Sequence, residues 1–381
     1  MQFILENITH IGWRECVMYA VGIILIYLAI KKDYEPALLL PLGFGAILVN
    51  MPLSGVINQE LPGIGEVLGP IQWLYETGIE AAEIMPLLLF IGIGAMIDFG
   101  PIISRPYYFF FGAAANFGIF ATITAAVLLG FSMNDAAAIG IIGAADGPTT
   151  ILVANVLKSK YMGPILLTAF SYMALVPIIQ PTVIRLLTSR KERKIRMAPV
   201  AEKAVPKAVK IIFPIMVTVI VAIISPAAAS LIGFLMFGNL IRECTVLNSL
   251  SETAQKTLAN LIMLLLGITI AFTLKADKFI QKETLIILGL GLLAFVVNTA
   301  GGVLFAKLLN LILKNKINPM IGATGISAFP MSARVIQKMA FKEDPENIIL
   351  MHAVSANASG QIASVAASGI VLSLVLGYLI I

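Results

Sequence analysis

Residues 142–150 read IGAADGPTT and residues 321–330 read IGATGISAFP, and these two stretches decide the fold of the chain. Each is a Gly-rich, polar interruption of strongly apolar sequence, and the two lie about half a chain apart. At membrane depth, irregular backbone is tolerated only where it is buried in protein or lines a cavity. Paired interruptions at matching positions of two halves therefore predict an ion or substrate site near the middle of a membrane.

The composition indicates a membrane protein. Of 381 residues, 59% are hydrophobic and 12% are charged, about half the charged share of a soluble domain. Roughly 20 apolar residues span the hydrocarbon layer, and this length predicts about ten transmembrane helices. The expected spans are 17–30, 37–53, 84–100, 107–133, 161–184, 211–241 divided into two at Pro226, 257–274, 285–306 and 354–381. We therefore expect an all-α, multi-pass membrane protein.

Charge gives the expected orientation. Residues 185–210 contain nine basic residues and two acids, whereas residues 59–83 contain five acids and no Lys or Arg. Basic loops stay on the cytoplasmic side, so the first segment should be cytoplasmic and the second should face outward. The same rule accounts for the net charge of +5, and we expect no nucleic-acid partner.

Further echoes extend the duplication beyond the two broken stretches. NFGIF from Asn116 resembles NTAGG from Asn298, GIGAMIDF from Gly92 resembles GITIAFTL from Gly267, and GFGAILVN from Gly43 resembles GFLMFGNL from Gly233. With the basic segment inside, the two repeats become inverted, each with a re-entrant hairpin at the midplane. Broken helices that cross completely are the alternative, but they would place the basic segment outside.

These patterns predict five segments. They are residues 1–83 as amino-terminal helices and the outward acidic segment, 84–187 as the first repeat with its hairpin at 136–157, 188–210 as the cytoplasmic basic linker, 211–256 as scaffold helices, and 257–381 as the second repeat with its hairpin at 317–336.

Asp146 is the only ionisable residue between Asp135 and Lys158. A carboxylate inside an apolar run is costly and is a functional-site hypothesis by default. Gly147 and Pro148 break the helix beside it, which frees backbone carbonyls, and hard cations such as Na⁺ prefer oxygen ligands. The alternative is a carboxylate that only caps the second half-helix.

The second hairpin offers neutral oxygen in place of an acid. Asn318, Thr324 and Ser327 alternate with Gly322, and Asn357 lies in the polar run that begins at His352. Such groups can complete a cation shell without adding charge. The alternative is that the small residues only allow close helix packing.

Arg334 and Lys338 follow the second hairpin. A guanidinium matches a carboxylate with two parallel hydrogen bonds, so Arg334 is a candidate for binding an anion that arrives from the cytoplasm, with Lys338 adding positive potential. Alternatively, Arg334 snorkels to the membrane interface. Tyr172 and His352 are also separated by about one repeat, so their helices should flank the same site.

The longest motifs resemble one family. GIGAMIDFGP, NFGIF, IGIIGAADGPT, SYMALVPIIQP, KERKIRM, INPMIGATGISAFPMSARV and MHAVSANASG closely resemble the β subunit of the sodium-pumping biotin-dependent decarboxylases, which act on oxaloacetate, methylmalonyl-CoA or glutaconyl-CoA. The resemblance runs from about residue 17 to the end. It implies a subunit of the bacterial cytoplasmic (inner) membrane that decarboxylates carboxybiotin and couples this step to Na⁺ export.

The resemblance also implies roles and partners. The essential acid of the family falls on Asp146, its tyrosine on Tyr172, and its second motif on Asn318, Gly322, Ser327 and Arg334. No AMKM-type biotin-attachment sequence occurs in this chain, so carboxybiotin must be supplied in trans. The implied partners are a biotin-carrier subunit, a carboxyltransferase α subunit and a small γ/δ membrane subunit, and a homo-oligomer surrounded by membrane lipid is expected.

Inverted repeats with broken segments equally suit a Na⁺-coupled secondary transporter or a Na⁺/H⁺ antiporter of the elevator kind, because fold alone does not fix function. A membrane scaffold without transport would leave Asp146 unexplained. The motif resemblance favours the decarboxylase.

Overall fold

The computed structural model describes residues 11–61, 65–81, 83–197 and 205–380. Parts of the predicted acidic segment and linker, residues 62–64, 82 and 198–204, lie outside the described residues, as do residues 1–10. The helices of the first half are α1 (Trp13–Lys32), α2 (Pro36–Val49), α3 (Pro70–Tyr75), α4 (Ile84–Met96), α5 (Gly100–Ser104), α6 (Phe109–Ala115), α7 (Phe117–Leu128), α8 (Met133–Ile141), α9 (Gly147–Val156), α10 (Met162–Ala174) and α11 (Val176–Leu187).

In the second half, the described residues form nine further α-helices. They are α12 (Arg190–Arg193), α13 (Lys207–Ile224), α14 (Ala229–Cys244), α15 (Asn248–Thr253), α16 (Ala259–Ile270), α17 (Ala276–Phe279), α18 (Lys282–Ile312), α19 (Met331–Glu343) and α20 (Leu350–Ile380). Two three-residue strands, β1 (Gln59–Leu61) and β2 (Gly65–Val67), pair antiparallel within the acidic segment. Within the described part of the chain, all other regular structure is helical.

The predicted multi-pass, all-α architecture is confirmed. Seven described helices are long and apolar enough to cross a membrane, and two bent helix pairs pass the same test, which gives up to nine spans. The sequence predicts about ten spans, and the difference lies at 37–53. That segment forms only the 14-residue helix α2, which at 1.5 Å per residue is about 21 Å long and shorter than the hydrocarbon layer.

The predicted span 161–184 is not straight. Helices α10 and α11 meet at Leu175 with a bend of 69°. Pro177 lies in the first turn of α11, and because proline has no N–H it cannot continue the hydrogen-bond ladder of α10. The bend places Tyr172 in the last turn before the break.

The first hairpin is re-entrant. Helices α8 and α9 are its two arms, and the ends of the arms meet at Asp135, which accepts hydrogen bonds from Ser159 Oγ (2.7 Å) and the Lys160 N–H (3.0 Å). Beside them, Asn155 Nδ2 donates to the Glu83 carboxylate at 2.9 Å. The segment therefore enters and leaves at one end of the protein, next to the acidic segment, and we call this end the acidic face.

The second hairpin is also re-entrant. At its start, Asn318 Nδ2 donates to the carbonyl oxygens of Arg193 (2.9 Å) and Ile195 (3.0 Å). Just past its end, Glu343 forms an ion pair with Arg193 at 2.8 Å. Both ends therefore lie against the described part of the basic linker, and we call this end the linker face.

The two hairpins enter from opposite ends. Helix α18 has 31 residues, or about 46 Å at 1.5 Å per residue. Glu283 in its first turn lies near Tyr161 and Asp135 at the acidic face, and its last turns lie at the linker face, where Lys307 pairs with Glu192 at 3.1 Å. The first arm of the second hairpin is a 3₁₀ segment, Pro319–Gly325, and not an α-helix like α8. Gly322 packs directly on the backbone of Gly302 in α18, which leaves no room for a wider helix with side chains.

Two apolar clusters lie on either side of the cleft described below. One cluster surrounds the hairpins together with α18 and α20, and it contains Ile142, Ile321 and Ile362. The other joins α1, α2 and α16 through residues such as Leu42 and Leu266. The loop between α1 and α2 therefore belongs to a different packed unit from α19.

Candidate functional site

Asp146 lies at the tip of the first hairpin and is 4% exposed. It is the N-cap of α9, and its carboxylate accepts a hydrogen bond from Thr149 Oγ1 at 2.7 Å and a longer one from the Thr149 N–H at 3.4 Å. From α20, Ser364 Oγ donates to the same Oδ2 atom at 3.0 Å. The capping role is therefore present, but an ionised carboxylate has about four acceptor positions, so Oδ1 can still bind a ligand.

The tips of the two hairpins touch. The Ser327 N–H donates to the carbonyl oxygen of Ala144 at 3.0 Å, and Ser327 Oγ donates to the Gly360 carbonyl in α20 at 3.0 Å. Gln361 Nε2 donates to the carbonyl of Ser327. Helix α20 therefore contacts Asp146 through Ser364 and Ser327 through Gly360 and Gln361, and it joins both tips into one site.

Helix α20 also holds the extended backbone that follows the 3₁₀ segment. Asn357 Nδ2 donates to the carbonyl oxygens of Thr324 (3.1 Å) and Ile326 (2.7 Å). The Thr324 hydroxyl contacts the carbonyls of Ile321 at 2.7 Å and Ala353 at 3.0 Å. Asn357 therefore lies about one turn of α20 from the contact of the tips, and Thr324 contacts α20 about two turns from it.

Four buried amide oxygens in the helices around the tips have no hydrogen-bond partner among the described residues. They are Asn116 Oδ1, Asn298 Oδ1, Asn357 Oδ1 and Gln361 Oε1. An unsatisfied buried acceptor costs about 1–3 kcal/mol, and such a group in a folded protein points to an ion or water. One carboxylate with several neutral oxygens is the ligand type of a hard cation.

The asparagines of the echoed NFGIF and NTAGG motifs belong to this environment. Asn298 Nδ2 donates to the Gly143 carbonyl at the first tip, and its Oδ1 lies against Gly118 of α7. Asn116, between α6 and α7, donates to the Gly112 carbonyl of α6. Of the two asparagines, Asn298 therefore binds the hairpin of the other repeat, whereas the side-chain amide of Asn116 binds the helix that precedes it.

Asn318 and Gly322 lie outside the hydrogen-bond network of Asp146. Asn318 binds the linker with Nδ2, and its Oδ1 caps the 3₁₀ segment by accepting from the Met320 N–H at 3.1 Å. Gly322 faces the Gly302 backbone. The structure therefore gives both residues a role in positioning the hairpin, and their predicted role as ion ligands stays a prediction.

Tyr172 is half-buried at the bend between α10 and α11, and its hydroxyl donates to the Leu288 carbonyl at 2.7 Å. Its ring packs on the small apolar cluster that contains Ala145 and Ile326, the neighbours of Asp146 and Ser327. Val335 belongs to the same cluster. Tyr172 is thus packed between the tips and the start of α19.

A basic cleft of about 610 Å³ opens at the linker face. One wall is the α1–α2 loop, residues 32–36, and the others are α11 and the first three turns of α19, including Arg334 and Lys338. Both side chains are exposed into this cleft. Because Met331 and Val335 also touch the cluster with Ala145 and Ile326, the floor of the cleft is contiguous with the hairpin tips.

Sequence reasoning did not predict the contacts of three groups that the structure brings to the site. Ser364 lies within the polar run that begins at His352, and Thr149 follows Asp146 in the DGPTT motif; both patterns were visible, but not the contact with Asp146. No sequence pattern pointed to Glu35, which lines the cleft, because it lies about 300 residues from Arg334 in sequence.

Comparison with known proteins identifies related chains. The family model of the Na⁺-transporting oxaloacetate decarboxylase beta subunit matches residues 14–375. The methylmalonyl-CoA decarboxylase subunit beta of Propionigenium modestum is 46% identical over 375 residues, covering 94% of each chain. The oxaloacetate decarboxylase beta chain 2 of Salmonella typhi is 42% identical over 423 residues, covering 97% of each chain. The glutaconyl-CoA decarboxylase subunit beta of Acidaminococcus fermentans is 45% identical over 366 residues, covering 96% of this chain and 94% of the relative.

Proposed function

This chain belongs to the family of β subunits of Na⁺-transporting decarboxylases, and from this premise we propose that it decarboxylates carboxybiotin and uses that reaction to export Na⁺. The observation that supports the proposal best is the contact between the hairpin tips. It places the buried carboxylate of Asp146 beside Ser327, below a basic cleft that opens at the linker face.

The ion is held between the tips in this proposal. Asp146 supplies the negative charge, Ser327 and Asn357 supply neutral oxygen, and the hydrogen bond from Ser364 orients the carboxylate. The unpartnered oxygens of Asn357 and Gln361 give the ion further ligands. Gly322 and Thr324 complete the predicted ligand set through the backbone of the 3₁₀ segment, and Asn318 anchors that segment to the linker.

The cleft fits a carboxylated prosthetic group. Its volume lies within the 300–1,000 Å³ typical of small-molecule sites, and Arg334 has the planar fork that binds a carboxylate. Carboxybiotin bound there would supply an exergonic loss of CO₂ that consumes one proton at the biotin nitrogen. Arg334 holds the carboxylate, Lys338 raises the local positive potential, and the packed floor around Val335 keeps water from the tips.

Coupling follows from the continuity of the second hairpin. Ser327 and Arg334 lie on one arm, and only the irregular residues 328–330 and the first turn of α19 separate them. A movement of Arg334 on anion binding is therefore transmitted through this short segment to Ser327. Moving one charge against about 100 mV costs roughly 2.3 kcal/mol, which the decarboxylation supplies if it proceeds only in the Na⁺-loaded state.

The proposal places the chain in the bacterial cytoplasmic membrane with the linker face inside. It also assigns the biotin carrier, the carboxyltransferase α subunit and the small γ/δ subunit as partners. The basic linker and the cleft lie on the same face, where a soluble carrier can reach Arg334.

Reconstitution of the purified complex into inverted vesicles tests the proposal. Oxaloacetate, methylmalonyl-CoA and glutaconyl-CoA are offered in turn, and ²²Na⁺ uptake and CO₂ release are measured together. We expect one substrate to drive both, and avidin, which sequesters biotin, to stop both. Uptake driven by a Na⁺ or proton gradient and insensitive to avidin would instead establish the secondary transporter.

A further inference from the structure

We propose that Glu35 forms the second half of the anion site, so that a carboxylate binds to Arg334 together with one proton, which Glu35 takes up. The inference rests on the proposed function, because it takes the cleft to be the site of a carboxylated ligand. It concerns a residue on the α1–α2 loop, outside both repeats.

Glu35 faces Arg334 across the cleft. It is the half-buried N-cap residue of α2 and lines the same cavity as Arg334, on the opposite wall. None of the ion pairs in the described part of the chain includes Glu35. The two charges therefore interact across a space that a ligand can occupy, and they do not close it.

The other charged and titratable groups around this space are mostly basic. Lys32, Asp33 and Tyr34 lie on the same loop as Glu35, Arg185 projects from α11, and Lys338 and Lys342 project from α19 beside Arg334. This excess of positive charge attracts an anion into the cleft. A carboxylate bound to Arg334 then lies beside the carboxyl group of Glu35.

A carboxylate bound close to a second, half-buried carboxylate disfavours the ionised form of its neighbour. Burial already raises the pKa of the Glu35 carboxyl above its ordinary value, Arg334 opposes this shift, and Asp33 adds to it. A bound carboxylate neutralises Arg334 and adds a like charge, so both changes favour the protonated form of Glu35. Anion binding and proton uptake are therefore linked.

Titration calorimetry of the full-length protein in detergent tests this linkage. The ligand is 2-oxoimidazolidine-4-carboxylate, a stable cyclic urea that carries a carboxylate, and 2-imidazolidone is its uncharged counterpart. Titrations in two buffers of different ionisation enthalpy count the protons taken up. We expect uptake approaching one proton with the carboxylate, none with 2-imidazolidone, and weaker carboxylate binding as the pH rises from 6 to 9.

The decisive variant is Glu35→Gln. It should bind the carboxylate without proton uptake and with an affinity that no longer depends on pH, so that its advantage over wild type grows about tenfold for each pH unit over which wild type takes up one proton. Asp33→Asn is the matched control, because it removes an exposed carboxylate from the same loop and Asn tolerates the left-handed backbone there (φ 55). It should retain proton uptake.

Infrared difference spectra give a second readout. Addition of the carboxylate should produce the C=O band of a protonated carboxyl group in wild type and in Asp33→Asn, but not in Glu35→Gln. Binding that depends on Arg334 but takes up no proton, or an unchanged pH dependence in Glu35→Gln, would overturn the inference alone. Equal binding by Arg334→Gln would remove its premise, the proposed anion site.

Discussion

The Ser327 N–H donates a hydrogen bond of 3.0 Å to the carbonyl oxygen of Ala144, two residues before Asp146. This bond joins hairpins that enter the protein from opposite ends. Because it uses backbone atoms of both chain segments, it fixes their relative position and leaves the carboxylate of Asp146 and the neighbouring amide oxygens available for a ligand.

Asp146→Asn should lower Na⁺ transport and carboxybiotin turnover below about a tenth of wild type, since loss of an ion ligand costs at least about 1.4 kcal/mol. The amide can still cap α9, so the protein should remain folded. Asp135→Asn is the control, because Asp135 is also buried in this hairpin but binds Ser159 and Lys160. It should lower the melting temperature without changing the Na⁺ dependence of turnover. Na⁺-stimulated turnover by Asp146→Asn above a tenth of wild type would exclude the proposed role.

Ser364→Ala should raise the Na⁺ concentration for half-maximal turnover about tenfold. It removes the 3.0 Å hydrogen bond to Asp146 Oδ2, and hydrogen bonds to charged groups contribute about 1.5–3 kcal/mol. Ser373→Ala removes a hydroxyl two to three turns further along α20, where the nearest partner is Ser225 at 3.4 Å, and it should leave the Na⁺ dependence unchanged. Equal Na⁺ dependence of the two variants would contradict the assignment of Ser364.

Arg334→Lys should retain some turnover at raised carboxybiotin concentration, whereas Arg334→Gln should retain little, because lysine keeps the charge but not the planar fork. Both variants should still gain heat stability on addition of Na⁺, since Arg334 lies in the cleft and not between the tips. Melting curves with and without Na⁺, together with turnover at several carboxybiotin concentrations, check this. Normal pumping by Arg334→Gln would favour the snorkelling alternative.

Gly302→Ala should destabilise the protein by about 1–3 kcal/mol, the usual cost of overpacking. A Cβ atom at Gly302 would overlap the carbonyl group of Gly322 and push the 3₁₀ segment away from α18. Gly289→Ala, in the same helix, meets no atom within 4 Å and should be neutral or stabilising, because alanine favours a helix over glycine. Chemical denaturation in mixed micelles compares the two, and equal stability would contradict the close packing.

Acidification should weaken the contact between the linker and the second hairpin. The hydrogen bond from Arg193 lowers the pKa of Glu343, and that from Arg196 lowers the pKa of Asp344. A carboxyl group whose pKa is lower in the folded state contributes stability above its unfolded pKa, near 4, and loses it as the pH falls through the folded value. The melting temperature of wild type should therefore fall as the pH drops below about 4.

The double variant Glu343→Gln with Asp344→Asn isolates this contribution. It should melt lower than wild type at pH 7 and show a smaller decrease on acidification. Glu346→Gln serves as the control, since its side chain is 77% exposed and exposed ion pairs contribute little. Parallel pH profiles for wild type and the double variant would show that these two carboxyl groups do not hold the linker.

Several features followed from local sequence. Asp146 stood out because an acid inside an apolar run is rarely tolerated without a role, and the structure places it buried at a hairpin tip. The re-entrant path followed from the positive charge of the linker. With the linker on the cytoplasmic side, the helices before and after the first hairpin connect correctly only if the hairpin enters and leaves on the same side of the membrane. Charge and apolar length act over short stretches of chain, so they can be read without a fold.

The placement of Asn318 shows where local reasoning ends. Its polarity and its proximity to Gly322 suggested an ion ligand, but the structure uses both ends of its amide, one on the linker and one on the 3₁₀ segment. The single span predicted over 161–184 consists of two helices with a bend of 69°. For Asn318, contacts with a distant part of the chain decided the geometry. For the bend, the proline in the first turn of α11 decided it.

The sequence by itself determined that the chain crosses a membrane repeatedly and which residues resemble those of a decarboxylase subunit, because composition and motif are properties of neighbouring residues. Only the tertiary structure decided that Ser364 binds Asp146, that Asn357 holds the second hairpin, and that Glu35 faces Arg334. These pairs are brought together by helix packing over long separations, and their hydrogen bonds and charges act only at short distances.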